Sequence, residues 1–472
     1  MIGTKEISPR ELLDSCLARI EAVNPALNAF VAMDADRAHT AAEAAETAVM
    51  TGDDLGPLHG LPIGIKDLTA TAGLRTTYGS LLYKDHVPET DERIVAAIRA
   101  AGGIVLGKTN TPEFGAGANT TNKVYGPTGN PFDQTLTCGG SSGGSAVALA
   151  TGMAPLATGS DFGGSLRTPA GFCGVVGFRP TPGTVPHEVR TVGLSPWSVQ
   201  GPMGRTVADT ALLLSAIVVK DARDPFARPV DPGLLASPGV VDLSKLRVGV
   251  SEDLGCAPVA ENVRAVFRER VAKLAPRFAV CETRDPDLGA IHEVLEILRG
   301  VNFIAANKDR LENQRDLLGP NVIDNTERAL GYSAADVAWA HVEQTKLYRR
   351  FLKLFEEIDI LICPACSVSP FPHEQLYVTE IDGQAMDTYI RWIAITYGIT
   401  LTLHPVAVVP CGVDDRGLPF GIQIAGRFQD DATLLDIAHS LERAMAEDPD
   451  LARPIPDLHR LESDAAGRGP AT

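Results

Sequence analysis

The chain has 472 residues, of which 44% are hydrophobic and 21% are charged, and its formal net charge is −17. This composition is typical of a globular protein with ample material for a core, and the acidic balance argues against nucleic acid or an anionic membrane surface as the main partner. The first residues carry no apolar signal segment, and no apolar stretch reaches the length of a membrane span. The sequence therefore predicts a cytoplasmic protein.

The cysteines and histidines do not form a recognisable metal motif. The eight cysteines are too few and too widely spread for a disulfide scaffold, so we expect reduced thiols. Cys363 and Cys366 form a lone CxxC pair after an apolar strand, but a zinc site would need two further ligands at suitable spacing. The sequence therefore predicts two packed thiols and no metal.

The first helix is marked by its N-terminal residues. Ser8, Pro9 and Glu11 match the N-cap, the first-turn proline and the capping-box glutamate of a helix, and apolar residues follow at helical spacing. Pro25 is predicted to end this helix. An alanine-rich segment over residues 35–50 predicts a second helix.

Short apolar strands alternate with helices along the rest of the chain. This alternation predicts an α/β fold in which a large sheet is covered by helices on both faces. Residues 286–356 have a mostly helical pattern and are predicted to cap the catalytic face, while the small polar residues 463–472 predict a flexible tail. The predicted strands are 61–65, 103–107, 155–158, 175–178, 245–250, 359–363 and 406–410, and the further helices are 91–101, 145–152 and 431–446.

Two glycine-rich turns lie between these elements. Residues 139–145 read GGSSGGS, and residues 160–165 read SDFGGS. Glycine allows positive φ and close approach of the backbone to a ligand, and clustered N–H groups in such a turn form a pocket for an anion. A serine at the end of the turn could be a nucleophile whose product charge is received by its own loop. The two turns therefore indicate acyl transfer.

Lys66 is the candidate base for such a serine. It follows the apolar run Leu-Pro-Ile-Gly-Ile, and burial at the end of a strand lowers the pKa of an ammonium group. A lysine that is neutral near pH 7 can accept a proton from a hydroxyl group, and no histidine lies near either turn in the sequence. A solvated surface lysine is the ordinary alternative.

Two other motif matches offer competing interpretations. Residues 102–109 satisfy the spacing of a nucleotide-binding P-loop, but the centre of the match is Ile-Val-Leu, which predicts a strand. Residues 140–144 satisfy G-x-S-x-G, which would make Ser142 the nucleophile of an α/β-hydrolase with a downstream histidine as its base. That interpretation leaves the second glycine turn without a function.

Several long motifs, in the right order across most of the chain, resemble the amidase signature family. The resemblance implies one amidase signature domain over residues 1–462, built on a large mixed sheet, with its signature core at about 60–200 and a variable substrate region at about 286–400. The motifs are residues 60–67 (GLPIGIKD), 107–114 (GKTNTPEF), 139–145, 161–167 (DFGGSLR), 173–181 (CGVVGFRPT) and 417–423 (GLPFGIQ).

The resemblance also implies a Ser–cisSer–Lys triad. Ser165 would be the nucleophile, Ser141 the bridging serine of a cis peptide, and Lys66 the terminal base. The resemblance further implies an oxyanion hole made by the backbone N–H groups of Phe162, Gly163, Gly164 and Ser165. It implies that the loop is supported by Asp161, Arg167 and Ser142. It also implies that the substrate pocket is lined by Gly115, Ala116, Gly117 and Asn119. A surface salt bridge is the alternative role for Arg167.

Departures from the family pattern bear on the substrate. Phe162 replaces a residue that is often small in the family, and Thr168 stands where glutamine-using amidotransferase subunits usually have glutamine. The small residues over 115–119 predict a wide pocket for bulky or aromatic acyl groups. Aromatic residues of the variable region are expected to supply the rest of this pocket, namely Tyr332, Trp339, Tyr377, Tyr389 and Trp392.

The resemblance therefore implies an amidase that hydrolyses carbon–nitrogen bonds of non-peptide aryl or bulky acyl amides through an acyl-enzyme. Carbamates, urethanes and esters are further candidate substrates. We expect no cofactor, a small-molecule amide as the partner, no nucleic acid or membrane, and a monomer or homodimer. The alternatives are the glutamine-hydrolysing A subunit of a tRNA-dependent amidotransferase, a nucleotide-binding protein using residues 102–109, and a non-catalytic binding module.

Overall fold

The structure is a computed structural model that describes residues 1–467. The helices and strands predicted from the sequence lie close to their predicted positions, and this part of the chain contains six further strands and five further α-helices. The strands are β1 Phe30–Met33, β2 Pro62–Lys66, β3 Ile104–Thr109, β4 Leu156–Asp161, β5 Val176–Arg179, β6 Val199–Gly204, β7 Arg247–Val250, β8 Val280–Thr283, β9 Ile360–Pro364, β10 Glu380–Ile381, β11 Gln384–Ala385, β12 Val406–Val413 and β13 Pro419–Ala425. The α-helices are α1 Pro9–Leu27, α2 Ala35–Thr51, α3 Arg93–Ala100, α4 Gly143–Ala150, α5 Arg167–Cys173, α6 Val207–Ile217, α7 Glu261–Leu274, α8 Ile291–Asn313, α9 Pro320–Ala329, α10 Ala334–Glu357, α11 Ala394–Thr400, α12 Asp431–Ala446 and α13 Leu458–Ala466.

Within the described residues, eleven strands form one mixed sheet in the order β1-β3-β2-β4-β6-β5-β12-β13-β9-β7-β8. Strand β2 runs parallel to β3 and β4, whereas the strands from β4 through β6, β5, β12 and β13 to β9 pair antiparallel. Every residue of β2, β5, β6, β9 and β13 is buried. A strand buried at all positions must be covered on both faces of the sheet, so the predicted α/β class is confirmed.

Helix α1 begins as predicted but ends later. The Ser8 side chain accepts a hydrogen bond from the Glu11 N–H group at 3.1 Å, and the Glu11 carboxylate accepts one from the Ser8 N–H group at 2.8 Å. The prediction that Pro25 ends this helix is wrong, because the helix continues to Leu27. Proline in a last turn removes only one backbone donor, and Asn28 closes the helix in the left-handed conformation at φ 56°.

Three cap helices, α8, α9 and α10, separate β8 from β9 in the chain, in agreement with the helical pattern predicted over residues 286–356. They are attached to the segment that follows β3. Asn321 of α9 donates a hydrogen bond to the Ala116 carbonyl at 2.8 Å, and Lys123 donates one to the Leu318 carbonyl at 3.0 Å. The cap therefore lies against the segment in which the substrate pocket is predicted.

The C-terminal tail begins later than predicted. Residues 463–466 belong to helix α13, because Leu461 and Ala465 are buried and Glu462 forms an ion pair with Arg19 of α1 at 2.6 Å. Residues 468–472, which make up the rest of the predicted flexible tail, lie outside the described residues. No helix in the part of the chain that the structure describes has both the length and the apolarity needed to cross a membrane.

The first cysteine of the CxxC pair and most of the P-loop match lie in strands of the sheet. All eight cysteines are free thiols, and Cys363 is buried in β9, where burial raises the pKa of its thiol to about 12. Residues 104–109 are strand β3, and the buried Lys108 ammonium donates to the Thr69 carbonyl and to the Thr71 hydroxyl. Across residues 1–467, no three histidine, cysteine or carboxylate side chains come together as a metal site.

Candidate active site

Lys66 is the last residue of β2, and its side chain is 1% exposed. Its ammonium nitrogen reaches three serine hydroxyls, at 2.7 Å for Ser141, 2.8 Å for Ser142 and 2.9 Å for Ser160. Strand β2 is apolar and fully buried between β3 and β4, and Lys66 lies at its buried end. The alternative of a solvated surface lysine is therefore wrong.

The surroundings of Lys66 favour the neutral amine. Burial lowers the pKa of Lys66 well below its usual value of 10.5, and the negative charge of Asp161 opposes this effect. Within residues 1–467 no carboxylate forms an ion pair with Lys66; its hydrogen-bond partners are hydroxyl groups. A neutral amine held against hydroxyl groups has the chemistry of a general base.

The first glycine turn leads into helix α4 and carries two of these hydroxyls. The peptide bond between Gly140 and Ser141 is cis. Ser142 is the N-cap residue of α4, and its backbone N–H donates to the Ser165 carbonyl at 3.2 Å, which joins the two glycine turns. Glycine is required at position 144, because a Cβ atom there would lie 2.3 Å from the backbone nitrogen of Asn110.

The structure does not support Ser142 as an elbow nucleophile. Its side chain is fully buried and its hydroxyl accepts from Lys66, while the cavity wall is formed by other residues. His404, a histidine downstream of Ser142, is enclosed by aromatic rings that include Phe351 and Phe355. The α/β-hydrolase interpretation is therefore wrong.

The second glycine turn is anchored by a buried carboxylate. Asp161, at the end of β4, is fully buried and pairs with Arg167 at 3.0 Å and with Arg179 at 3.2 Å. Burial alone would raise the pKa of Asp161, but the two guanidinium groups lower it to about 2. Arg167 also donates to the Thr396 carbonyl and to Gln423, so its alternative role in a surface salt bridge is wrong.

We expect Asp161→Ala to lower the free energy of unfolding by about 3–5 kcal/mol, because it leaves two buried guanidinium groups without their anion. Denaturant unfolding of the purified proteins measures this change. The control is Glu327→Ala, whose partner Arg315 is half-exposed and whose loss should cost about 1 kcal/mol or less. Equal losses in the two variants would contradict the assignment.

The backbone donors of the second turn differ from the predicted set at one position. The Gly164 N–H group donates to the Asp161 carboxylate at 3.0 Å, so it is not available to a substrate oxygen. Within residues 1–467, the N–H groups of Phe162, Gly163 and Ser165 make no hydrogen bond. Three of the four predicted donors are therefore free.

Ser165 lies on the wall of the cavity that adjoins these donors. Its side chain is half-buried, and its carbonyl is held by the Ser142 N–H group. The Ser165 hydroxyl forms no hydrogen bond with Ser141 or with any other group among residues 1–467. The structure thus brings Lys66 and Ser141 into contact and ties Ser165 to Ser142, the residue after Ser141, while the Ser165 hydroxyl forms no hydrogen bond within residues 1–467.

The cavity beside Ser165 has a volume of about 630 Å³. Gly115 and Gly117 line it as predicted, but Ala116 is buried behind the wall and Asn119 donates instead to the carbonyls of His373 and Gln375. Of the aromatic residues expected from the variable region, Tyr389 lines the cavity and the other four do not. The remaining aromatic lining residues are Tyr78, Tyr83, Phe114, Phe162 and Phe303.

Strand β4 contributes hydroxyl groups to the lysine site that were not predicted from the sequence. Ser160 accepts from the Lys66 ammonium group, and the Thr158 hydroxyl accepts from the Lys66 backbone N–H group at 3.1 Å. These residues alternate along β4, and alternate residues of a strand share one face. That alternation of small hydroxyl side chains is the signal that could have identified them.

Comparisons with known proteins agree with this fold. A model of the family described as Amidase matches residues 11–435. The chain is 35% identical to an acylamidase of Rhodococcus erythropolis over 446 residues, which cover 93% of each chain. It is 33% identical to the A subunit of a glutamyl-tRNA(Gln) amidotransferase of Acidothermus cellulolyticus over 495 residues, which cover 95% of this chain and 93% of the relative. It is also similar to the crystal structure of a bacterial aryl acylamidase of the amidase signature family, with a TM-score of 0.86 and 28% identity over 99% of this chain and 97% of the other.

Proposed function

The chain belongs to the amidase signature family of amide-hydrolysing enzymes, and from this premise we propose that it hydrolyses non-peptide amides through an acyl-enzyme formed on Ser165. One observation carries the proposal. The Lys66 amine is buried, has no ion-pair partner among residues 1–467, and lies 2.7 Å from the Ser141 hydroxyl beside the cavity that Ser165 lines. The proposed triad is Ser165, Ser141 and Lys66.

The proposed reaction begins with two proton transfers. Neutral Lys66 accepts the hydroxyl proton of Ser141 while Ser141 accepts that of Ser165, and the Ser165 oxygen bonds to the carbonyl carbon of the substrate. The carbonyl electron pair moves to its oxygen, which the free N–H groups of Phe162, Gly163 and Ser165 can stabilise.

When the carbon–nitrogen bond breaks, the same relay returns a proton to the leaving nitrogen. Water then adds to the acyl carbon, loses a proton through the same relay, and releases the acid from Ser165. In this scheme, Ser141 requires a hydrogen bond from Ser165 that the structure does not contain. Such catalytic hydrogen bonds are often formed only once substrate is bound. The Ser165 hydroxyl forms no other hydrogen bond within residues 1–467, so it can turn towards Ser141 without breaking one.

The cavity supports the proposed preference for aryl or bulky acyl amides. Its volume of about 630 Å³ and its aromatic lining suit a ring or a branched apolar group. The names of the acylamidase and aryl acylamidase relatives agree with this class of substrate. Carbamates and esters present a similar carbonyl group to the same site, so we include them as secondary substrates.

A second candidate function is glutamine hydrolysis as the A subunit of a tRNA-dependent amidotransferase. The relative of this name from Acidothermus cellulolyticus, at 33% identity, favours it. The side chain of Thr168, where such subunits are expected to carry glutamine, is buried. This substitution weakens the second candidate.

A substrate panel with the isolated chain tests the proposal. It compares aryl anilides, aliphatic amides, carbamates, esters and free L-glutamine under identical conditions. We expect aryl anilides to have the highest kcat/KM among the amides, because the aromatic lining of the cavity suits a ring. The proposed reaction requires no partner chain, so the isolated protein should be active. Turnover of glutamine alone, or turnover that appears only with added partner proteins, would instead establish the second candidate.

A further inference from the structure

One wall of the cavity carries two arginines that form no ion pair within residues 1–467. This wall is a face of helix α8, where lining residues recur at helical spacing from Arg299 to Arg310. The two arginines are eleven residues apart, about three helical turns, so they lie on the same face with about 16 Å of helix between them. The rest of this face consists of Asn302, Phe303, Ala306 and Asn307.

Arg299 is the more deeply placed of the two. Its side chain is buried, with the residue 6% exposed, and its guanidinium donates to the Asn325 side-chain oxygen and to the Tyr389 hydroxyl. The guanidinium carbon lies 4.1 Å from the centre of the Phe303 ring and 4.9 Å from that of Tyr389. Its hydrogen-bond partners are therefore uncharged, and its flanks are aromatic.

The acidic residues that influence Arg299 also interact with other cations. No carboxylate in residues 1–467 forms an ion pair with it, and the closest electrostatic influences are Glu296 and Asp324. Asp324 binds Arg328 at 2.9 Å, and Glu296 also interacts with the positive charges of Arg391 and Arg328. Burial lowers the pKa of Arg299 itself to about 9, so it remains charged at pH 7.

A buried cation without an anion is costly, and such charges in proteins are normally paired. Arg299 lies in the middle of α8, so the dipole at a helix end does not account for it. A guanidinium presents a planar fork of donors that matches a carboxylate. The missing partner of Arg299 can therefore be an anionic group brought by the substrate.

Two connections join Arg299 to the reacting centre. Tyr389, its hydrogen-bond partner, is followed in the chain by Ile390. The Ile390 side chain packs against Gly163 in the second glycine turn, since a Cβ atom added at Gly163 would lie only 3.3 Å from it. On the other side, Asn325 donates to the Asn321 carbonyl, and Asn321 donates to Ala116 beside the predicted acyl pocket. Arg299 thus belongs to the wall that adjoins the acyl part of a substrate.

Arg310 is a second, more accessible cation on the same wall. It donates to Asn307 and to the Tyr83 hydroxyl, each at 3.0 Å, and its guanidinium carbon lies 4.6 Å from the centre of the Phe114 ring. Its partners are also neutral. Because Arg310 lies in the last turn of α8, the helix dipole already favours a cation there, and we assign it a supporting role.

We propose that Arg299 binds a carboxylate at the far end of the acyl chain, so that the enzyme prefers amides formed from dicarboxylic acids. This proposal rests on the proposed function, because it describes the substrate of the same site. Arg299 is then a specificity-determining residue, and aromatic groups on the amine side of the substrate remain compatible with the rest of the cavity.

The test compares p-nitroanilides of succinic, glutaric and adipic acid with the neutral pentanoyl, hexanoyl and heptanoyl compounds. For the best dicarboxylic substrate, Arg299→Met should lower kcat/KM by about 10- to 100-fold, as expected for a lost charged hydrogen bond. For the neutral counterpart, the same substitution should change kcat/KM by about threefold or less, because that compound has no carboxylate to bind. Arg299→Lys should restore part of the preference. Arg315→Gln, which removes an exposed charge paired with Glu327, is the control for net charge.

A binding measurement separates failure of this inference from failure of the proposed function. Calorimetry with the Ser165→Ala protein should show tighter binding of glutaryl than of hexanoyl p-nitroanilide, and Arg299→Met in that background should abolish the difference. This result does not depend on turnover, so it can hold even if no amide is hydrolysed. Equal affinities for the two compounds, or a preference that survives Arg299→Met in a folded protein, would overturn the inference.

Discussion

Ser165→Ala is expected to lower kcat/KM for an aryl anilide by about 10⁴- to 10⁶-fold, the range seen when the nucleophile of a serine hydrolase is removed. The proposed acyl-enzyme cannot form without the hydroxyl group. The free backbone donors of the second glycine turn remain in the variant, so some stabilisation of the substrate oxygen should persist. Initial rates at several substrate concentrations measure the change. Denaturant unfolding should be nearly unchanged, because the lost hydroxyl forms no hydrogen bond within residues 1–467.

The control for loss of a serine hydroxyl is Ser215→Ala in α6, where the side chain bonds only to its own helix. This variant should retain the wild-type rate. A fluorophosphonate probe followed by peptide mass spectrometry should modify Ser165. Modification of Ser142 instead, or a Ser165→Ala protein with more than a few per cent of wild-type activity, would refute the assignment of the nucleophile.

Lys66→Met is expected to lower kcat/KM by about 10²- to 10⁴-fold, the usual contribution of a general base. Methionine fills a similar buried volume but cannot accept a proton. The matched control is Lys108→Met, because Lys108 is also a buried lysine but bonds to Thr69 and Thr71 rather than to the serine cluster. Both variants should lose stability, and Lys66→Met should lose far more activity than the control.

The pH profile checks the same role for Lys66. Since burial lowers its pKa well below 10.5, the amine should be neutral at moderate pH and become protonated as the pH falls. Log kcat/KM should therefore decline on the acid side by about one unit per pH unit, and Lys66→Met should lack this limb. An optimum near pH 5, or an acid limb that persists in Lys66→Met, would contradict a neutral-lysine base.

Several features of the site could be predicted from the sequence. The apolar run before Lys66 predicted a buried strand, and burial accounts for its lowered pKa. The two glycine turns predicted where backbone donors would cluster, and the family resemblance supplied the assignment of Ser141 and Ser165. These predictions rest on short stretches of chain, in which periodicity and turn composition are directly readable.

Other features could not be predicted, because they depend on partners far apart in the sequence. The Gly164 N–H group is occupied by Asp161 only in the folded loop, and Arg167 proved buried because α11 and β13 supply its acceptors. Helix α13 extends into the predicted tail because α1 covers it. The lack of an ion pair at Arg299 within residues 1–467 likewise depends on where the cap helices place their carboxylates.

The sequence by itself determined the two glycine-rich turns, seven of the eleven strands of the sheet and the helices with the clearest apolar spacing, because apolar spacing and glycine content act over a few neighbouring residues. Only the tertiary structure decided which groups meet. Ser141 lies 75 residues from Lys66 in the chain and Ser160 lies 94 residues away, yet all three share one buried cluster. The parallel pairing of β2 with β4 and the packing of α4 bring them together, and burial then gives the amine the lowered pKa that a general base requires.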